Sequence, residues 1–416
     1  MEKANSSDLP HNLVGFVNDP VSQQMIANII TSTNMSYSES LQGSISDVIE
    51  FLKNNRTPRI LMVDISDSEL PLGDIAKIKE YSAPNLNIVA IGSRNDVGLF
   101  RDLKKMDICD YLVKPLSDNL LHRTIESINT LNSEYVAKTG RMIQFISSVG
   151  GAGATTIATN IGWILANRHF KRTVVMDMDF FYGTANLLLD LKTERSYLDL
   201  LESSDRVDDY FIDTILRKHG QRLYYLGGLV DLMRGISVDL EAFETLMNLI
   251  KTQFNYLLMD TQRDISDISK ICMNKTDNFV IIVEMSVASA SNTARMLEFL
   301  NSYQSGKKII IVANKVGLSN RGALAKELFE KVIERKIDYL ISLDESVTLA
   351  AANIGQPLVM SSGPLTEILE NITDDILGKK ESENIAKELL EREGWTYDRI
   401  KRLALDMVSK MMSRLK

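Results

Sequence analysis

Ser147-Ser148-Val149-Gly150-Gly151-Ala152-Gly153-Ala154-Thr155-Thr156 is the stretch on which the reading of this chain turns. Glycines at 150, 151 and 153 let the backbone fold tightly, and N–H groups brought together in this way surround phosphate oxygens. Thr155 stands where a hydroxyl meets Mg²⁺ in such loops, with Ala152 and Thr156 completing the segment. Ala154 fills the place of the lysine that ordinarily reaches the terminal phosphates. The apolar run 142–147 predicts a strand before the loop. Ile157, Ile161, Ile164 and Leu165 predict a helix after it. That context suits phosphate, because a helix N-terminus adds the positive end of its dipole. Taken alone, the glycines also fit a tight structural turn.

Three later strand ends favour the first reading. Val-Val-Met-Asp-Met-Asp at 174–179 ends in Asp177 and Asp179, and Tyr-Leu-Leu-Met-Asp-Thr at 256–261 carries Asp260. A doubly wound sheet holds Mg²⁺ and positions water with carboxylates at such strand ends. Ile-Ile-Ile-Val-Ala-Asn-Lys at 309–315 ends in Asn314 and Lys315, and the Asn314 amide suits the edge of an adenine. Each of these residues alone also fits a helix cap. Together, in this order, they predict a nucleotide site. Arg263, Arg295 and Lys315 are candidate replacements for the missing lysine charge. Arg263 leads them because it follows the Asp260 strand end; its alternative is an ordinary surface salt bridge.

The whole chain has 416 residues, enough for two or three domains. A net charge of −8 argues against a partner bound by broad electrostatics, so nucleic acid is not expected. Cys109 and Cys272 have no metal-ligand spacing and imply no disulfide framework. The opening Met-Glu-Lys-Ala-Asn-Ser-Ser-Asp lacks the apolar segment of a signal peptide, and no run is apolar enough to span a bilayer. The expected setting is cytoplasmic.

Before the glycine loop, runs 13–17, 59–65, 87–92 and 110–113 read as buried strands. Helical patterns at 21–30, 44–52, 72–81, 98–105 and 118–131 alternate with them. After the loop, strands are predicted at 142–147, 173–176, 223–226, 256–259, 279–283, 308–313 and 337–341. The expected fold class is α/β, with two doubly wound parallel sheets and a helical tail. The divisions are 1–134, a linker at 135–141, 142–377, and a tail at 378–416. In the first unit, Asp19, Asp64, Ser93 and Lys114 fall at strand ends, the lysine followed by Pro115.

From about 142 to 360 the chain resembles the ParA/MinD family of deviant P-loop ATPases. Gly150 to Thr156 match the family loop in register, and Asp177-Met178-Asp179 matches its second acidic motif. Leu343 to Val347, Ala351, Asn353 and Gly355-Gln356-Pro357-Leu358 match the late signature that closes the base pocket. The resemblance implies ATP and Mg²⁺ as cofactors, with Thr155, Asp177 and Asp260 serving the metal and Asp179 orienting water. It also implies a homodimer around the nucleotide. Val149 replaces the signature lysine that crosses to the partner subunit. Each missing cation removes a charge-assisted contact worth about 1.5–3 kcal/mol. ATP binding with slow or absent hydrolysis is therefore expected; an active ATPase is the alternative.

Asp19, Asp64, Ser93 and Lys114-Pro115, with Pro71 and Gly73, resemble a response-regulator receiver domain. In that family the Asp64 position accepts a phosphoryl group, the Ser93 position senses it and the Lys114 position pairs with it. Asn18 replaces one carboxylate of the usual acidic pair, which weakens metal binding. Phosphorylation and docking alone both remain open. The fusion is similar to the CpaE/TadZ family of pilus-assembly proteins, which implies polar localisation and partners in a pilus or secretion machinery. Asp260-Thr261-Gln262-Arg263 resembles that family's Asp-x-Pro-Arg. In the tail, 397–416 carries six Lys and Arg against two Asp. Ile400, Leu403, Ala404, Met407, Val408, Met411, Met412 and Leu415 share a helical face. Packing on protein and peripheral membrane contact are the two readings of that face.

Overall fold

The computed structural model describes residues 11–131, 139–193, 196–202, 207–228, 230, 233, 238–264, 266–303, 306–317, 323–342 and 344–379. The first sheet holds β1 (Leu13–Val17), β2 (Glu39–Gln42), β3 (Ile60–Asp64), β4 (Asn87–Gly92) and β5 (Asp110–Val113) in the order β2-β1-β3-β4-β5. All of its pairings are parallel. Every residue of β1 and β3 is buried, because helices cover both faces. β2 was not predicted. Its sequence Glu-Ser-Leu-Gln is short and half exposed at the sheet edge, so it carries neither an apolar run nor an alternating pattern.

The second sheet is built from β6 (Arg141–Ser147), β7 (Thr173–Asp177), β8 (Arg217–His219), β9 (Leu223–Leu226), β10 (Tyr256–Thr261), β11 (Asn278–Val283), β12 (Lys308–Val316) and β13 (Tyr339–Ser342). Their order is β13-β12-β11-β6-β10-β7-β9-β8, and only β8 runs antiparallel. β8, Arg-Lys-His, escaped prediction for the same reason as β2: it is a polar edge strand. β12 runs past Ala313 through an irregularity between Ala313 and Val316, where Lys315 takes a φ of 56°. β13 starts two residues later than expected, at Tyr339. Asp177 is the last residue of β7 and Asp260, its cross-strand partner, the next to last of β10, so both lie within their strands rather than beyond them.

β6 lies centrally between β11 and β10, and successive strands depart to either side of it. The loop after β6 therefore opens at the crevice where α/β sheets bind ligands. Helix Ala154–Asn167 follows at once, with Ile157, Ala158, Ile161, Ile164 and Leu165 buried. Gly162 is where this helix lies closest to the sheet. A Cβ there would come within 2.7 Å of Val175 Cγ2, so the glycine sets how near the loop sits to β7 and β10.

The two halves meet through helix ends. The carboxyl ends of helices Ile45–Asn54 and Pro71–Tyr81 face residues that precede β7, β9 and β10. Arg222 donates to Leu52 O, to Phe170 O at 2.8 Å and to Tyr81 O at 3.5 Å. Asn255 Nδ2 donates to Ser82 O at 2.9 Å, and Lys171 Nζ to Glu80 O. These donors satisfy carbonyls left without partners at helix ends and complement the negative end of the dipole. Arg56 adds a two-pronged bond to Asp213 at 3.1 and 3.0 Å, and the rings of Tyr81 and Phe170 meet edge to face. The junction thus lies at the amino ends of the strands. Both groups of candidate site residues lie at carboxyl ends, facing away from it.

Replacing Arg222, which is buried, by alanine strands several carbonyls at once. Arg222→Ala is expected to lower the unfolding free energy of the whole chain by about 2–4 kcal/mol in urea melts. Arg222→Lys should recover less than half, since an ammonium cannot span acceptors on separate elements. A loss under about 0.5 kcal/mol in Arg222→Ala would show that the clamp contributes nothing.

Among the described residues no helix is long and apolar enough to cross a membrane. The expectations for 397–416, and most of the linker at 135–141, lie outside the described residues.

Candidate functional site

Gly151 and Gly153 take φ of +73° and +100°, conformations that favour glycine, and Gly153 caps the helix that starts at Ala154. A Cβ on Gly153 would come within 2.5 Å of Asn314 Nδ2. The loop is held from below. Asn314 Nδ2 donates to Ala152 O at 2.7 Å, and Asn314 Oδ1 accepts from Lys315 N at 2.9 Å. Lys315 Nζ donates to Gly151 O and pairs with Glu284 at 3.1 Å. Each end of the Asn314 amide holds one such bond, which leaves one N–H and one lone pair for a ligand. The sequence singled out Asn314 and Lys315 but not their role as supports, because a loop carbonyl leaves no trace in composition. Glu284, which anchors the lysine, was missed.

A cavity of about 370 Å³ opens above the loop, lined by Gly150, Ala154, Thr155, Asp179, Asp260 and Arg263 among others. Asp260 and Asp177 are cross-strand partners on β10 and β7. Asp260 is raised to about 7, by burial first and by the neighbouring Asp177 charge, against a hydrogen bond from the Thr155 side chain that lowers it. Burial likewise raises Asp177 to about 6, offset in part by backbone N–H bonds from Asp179 and Ala185 at 3.0 and 3.2 Å. Asp179 accepts from Tyr182 N at 2.9 Å and Phe181 N at 3.3 Å, so it shapes the turn beside the cavity. Gly183 completes that turn; a Cβ there would come within 2.5 Å of Asp177 Oδ2.

Two buried carboxylates side by side with raised proton affinity form a site short of positive charge. Thr155, Asp177 and Asp260 fit a hard cation in donor type. Among the described residues no three of His, Cys, Asp and Glu converge as a ready ligand set. The candidate set is instead two carboxylates and a hydroxyl, which leaves coordination positions for water or phosphate oxygens. The glycine loop, the helix N-terminus and the cavity likewise fit a nucleotide's phosphates in chemistry. Ala154 is buried on the cavity wall, and half-buried Val149 packs against the core under the helix. The late segment behaves differently: Val359 N donates to Asn160 Oδ1 at 3.1 Å, and none of residues 344–358 lines the cavity.

In the first sheet, Asp64 is buried at the end of β3 and all its lone pairs are engaged. Oδ1 accepts from Ser66 N at 3.0 Å and Ser66 Oγ at 2.6 Å; Oδ2 accepts from Asn18 N at 3.1 Å and from Lys114 Nζ. Lys114 also reaches Asp19 at 2.6 Å. Burial opposes ionisation of Asp64, but the Lys114 and Ser66 bonds prevail and hold it below its ordinary value. Asp19 behaves similarly and falls to about 2. Asn18 turns its side chain away, to Asp67 at 2.7 Å. Ser93 is exposed past the end of β4, and among the described residues no hydrogen bond joins it to Asp64. Three of the four expected residues are therefore hydrogen-bonded together, and among the described residues Ser93 is not bonded to them.

Comparison with known proteins bears on the second half. The AAA_31 family model, an AAA domain, matches residues 140–312. The septum site-determining protein MinD of Bacillus subtilis is 23% identical over 249 residues, covering 58% of this chain and 90% of that protein. An uncharacterized ATP-binding protein of Methanocaldococcus jannaschii is 24% identical, covering 43% and 67%. Among solved structures, a ParA family ATPase from Chlorobium tepidum aligns with a TM-score of 0.52 at 20% identity, over 56% of this chain and 98% of that one. MinD from Pyrococcus horikoshii, complexed with Mg-ADP, aligns with a TM-score of 0.50 at 18% identity, over 57% and 96%. The second half has the ParA/MinD-type P-loop fold.

Proposed function

We propose that the chain is an ATP-binding, dimerising localisation and assembly factor for a Tad-type pilus or secretion machinery, with slow or absent hydrolysis. One observation carries this reading. Gly150, Thr155, Asp179 and Asp260 line one cavity with Asp177 paired to Asp260 on the neighbouring strand, while Ala154 and Val149 stand where lysine would supply charge. Bound ATP with Mg²⁺ brings the divalent charge that the two buried carboxylates lack. Residues Gly150 to Thr156 offer backbone N–H groups to phosphate, with Asn314 and Lys315 fixing the loop from beneath. Thr155, Asp177 and Asp260 hold the metal, and Asp179 is the water-orienting residue if turnover occurs.

The relatives support the nucleotide: one is named ATP-binding, and a structural neighbour is complexed with Mg-ADP. The assembly role rests on the order of units, a receiver-like domain before a lysine-less ATPase-like domain. The saturated Asp64 site favours docking over phosphotransfer, because a phosphoryl acceptor must first release Lys114 or Ser66. Partners beyond a second copy are other proteins of the machinery; the apolar face of 397–416 suits packing on protein, with peripheral membrane contact as its second reading.

A ligand that binds only the dimer shifts association by its differential affinity. Sedimentation velocity of the full chain is expected to show monomer alone and dimer with ATP and Mg²⁺. Identical profiles with and without saturating nucleotide would remove the proposal. Steady turnover would move the reading to an active ATPase.

A further inference from the structure

Three cations compete to replace the missing lysine charge, and their surroundings separate them. Lys315 is spent beneath the loop, held between Gly151 O and the Glu284 carboxylate. Its charge is balanced by that pairing, and it does not line the cavity. Arg295, on helix Val287–Tyr303, borders a different cavity of about 440 Å³, walled mainly by Ile146, Met273, Met296, Phe299 and Leu300. Arg263 lines both cavities. Among the described residues lining the loop cavity it is the one Lys or Arg, facing Asp179 and Asp260.

Its position is fixed by the fold. β10 delivers Asp260 to the metal side of the cavity, and the chain turns so that Arg263 comes back over the loop. Arg263 Nη1 donates to Ser148 O at 3.2 Å, an acceptor shared with Asn292 Nδ2 at 2.9 Å. Nη2 lies 3.8 Å from where a Cβ on Gly150 would sit, so the guanidinium lies against the glycine backbone. A guanidinium has five N–H donors in a rigid fork, and the Ser148 bond uses one.

We propose that Arg263 is the phosphate-binding cation of this site, supplied from beyond β10 in place of the two loop lysines. The assignment rests on the nucleotide reading above and sharpens it. A guanidinium anchored at the loop entrance suits holding a polyphosphate, since it binds two oxygens at once through a fixed fork. It hangs from a neighbouring strand rather than from the loop, so loop and strand are tied together when the anion is present. Val149 and Ala154 are then tolerated because the charge has moved, not because it has been lost.

The test is ATP–Mg²⁺ affinity by calorimetry on the full chain, with the nucleotide-free melting temperature as a folding control. Arg263→Ala should weaken binding by about 10–100-fold. Its nucleotide-free melting temperature should be unchanged, because the side chain is exposed. Arg263→Lys should retain an intermediate affinity. Adding Ala154→Lys to Arg263→Ala should restore most of the loss, since a cation then returns from the loop itself. If the wild type binds and Arg263→Ala binds within about threefold, the assignment fails while the nucleotide reading stands. A wild type that binds no ATP overturns both.

Discussion

Val149→Lys and Ala154→Lys together are expected to raise ATP hydrolysis by about 100-fold, read as phosphate release per protomer. The estimate follows from charge. The cavity faces Asp179 and Asp260 with one guanidinium to offset them, and Asp177 lies behind Asp260. Phosphoryl transfer develops charge on oxygens, and preorganised cations beside those oxygens change rates by about 10²–10³ each. Ala154 already borders the cavity, so a lysine there extends into open volume. Val149 is less accommodating. It is half-buried and packs against the core, so lysine at 149 loses about 1 kcal/mol of apolar burial. The single Ala154→Lys variant should therefore give most of the binding gain at little cost to stability. Tighter ATP binding in the double variant without faster hydrolysis would place the defect elsewhere, in the Asp179 turn.

What could be read from the sequence followed what the core demands. Buried parallel strands need continuous apolar runs, and β3, β6, β10 and β11 announce themselves that way. β2 and β8 do not, since edge strands bury too little to impose a pattern. The same division runs through the site. Asp177, Asp179 and Asp260 were legible because an acid ending an apolar strand has a limited set of uses. The contacts of Asn314, Lys315 and Glu284 were not, since they depend on an irregularity in β12 and on a carbonyl from a loop more than 160 positions away. Ser93 was placed by spacing alone, and spacing along a chain does not fix which way an exposed residue after a strand points.

The nucleotide-free protein should be more stable at pH 5 than at pH 8, and Asp260→Asn should abolish most of that difference. Asp260 and Asp177 have folded-state values of about 7 and about 6, against an ordinary 3.8. Between about pH 4 and 7 the folded state therefore binds protons that the unfolded chain has released. The resulting stability is full below the ordinary value and is lost as pH rises through the folded values. Asp177 is one cause of the Asp260 shift, so the two shifts are not independent and their joint contribution is smaller than the two added: roughly 2–4 kcal/mol. Three other residues set the background. Asp19 and Asp64, held low by Lys114, lose their contribution only below about pH 4. His169, lowered by burial, acts in the opposite sense below its ordinary value and is common to wild type and variant. The difference between the two proteins therefore isolates Asp260, since Asp177 is present in both. Asparagine keeps an acceptor for the Thr155 hydroxyl while removing the buried charge, so the variant should gain about 2 kcal/mol at pH 8. It should also lose the Mg²⁺-dependent part of ATP affinity, because the metal then faces a single carboxylate. Chemical denaturation at the two pH values decides the matter. A wild type whose stability is flat or rises from pH 5 to 8, with Asp260→Asn parallel to it, would mean that the two carboxylates are not the site of unmet charge.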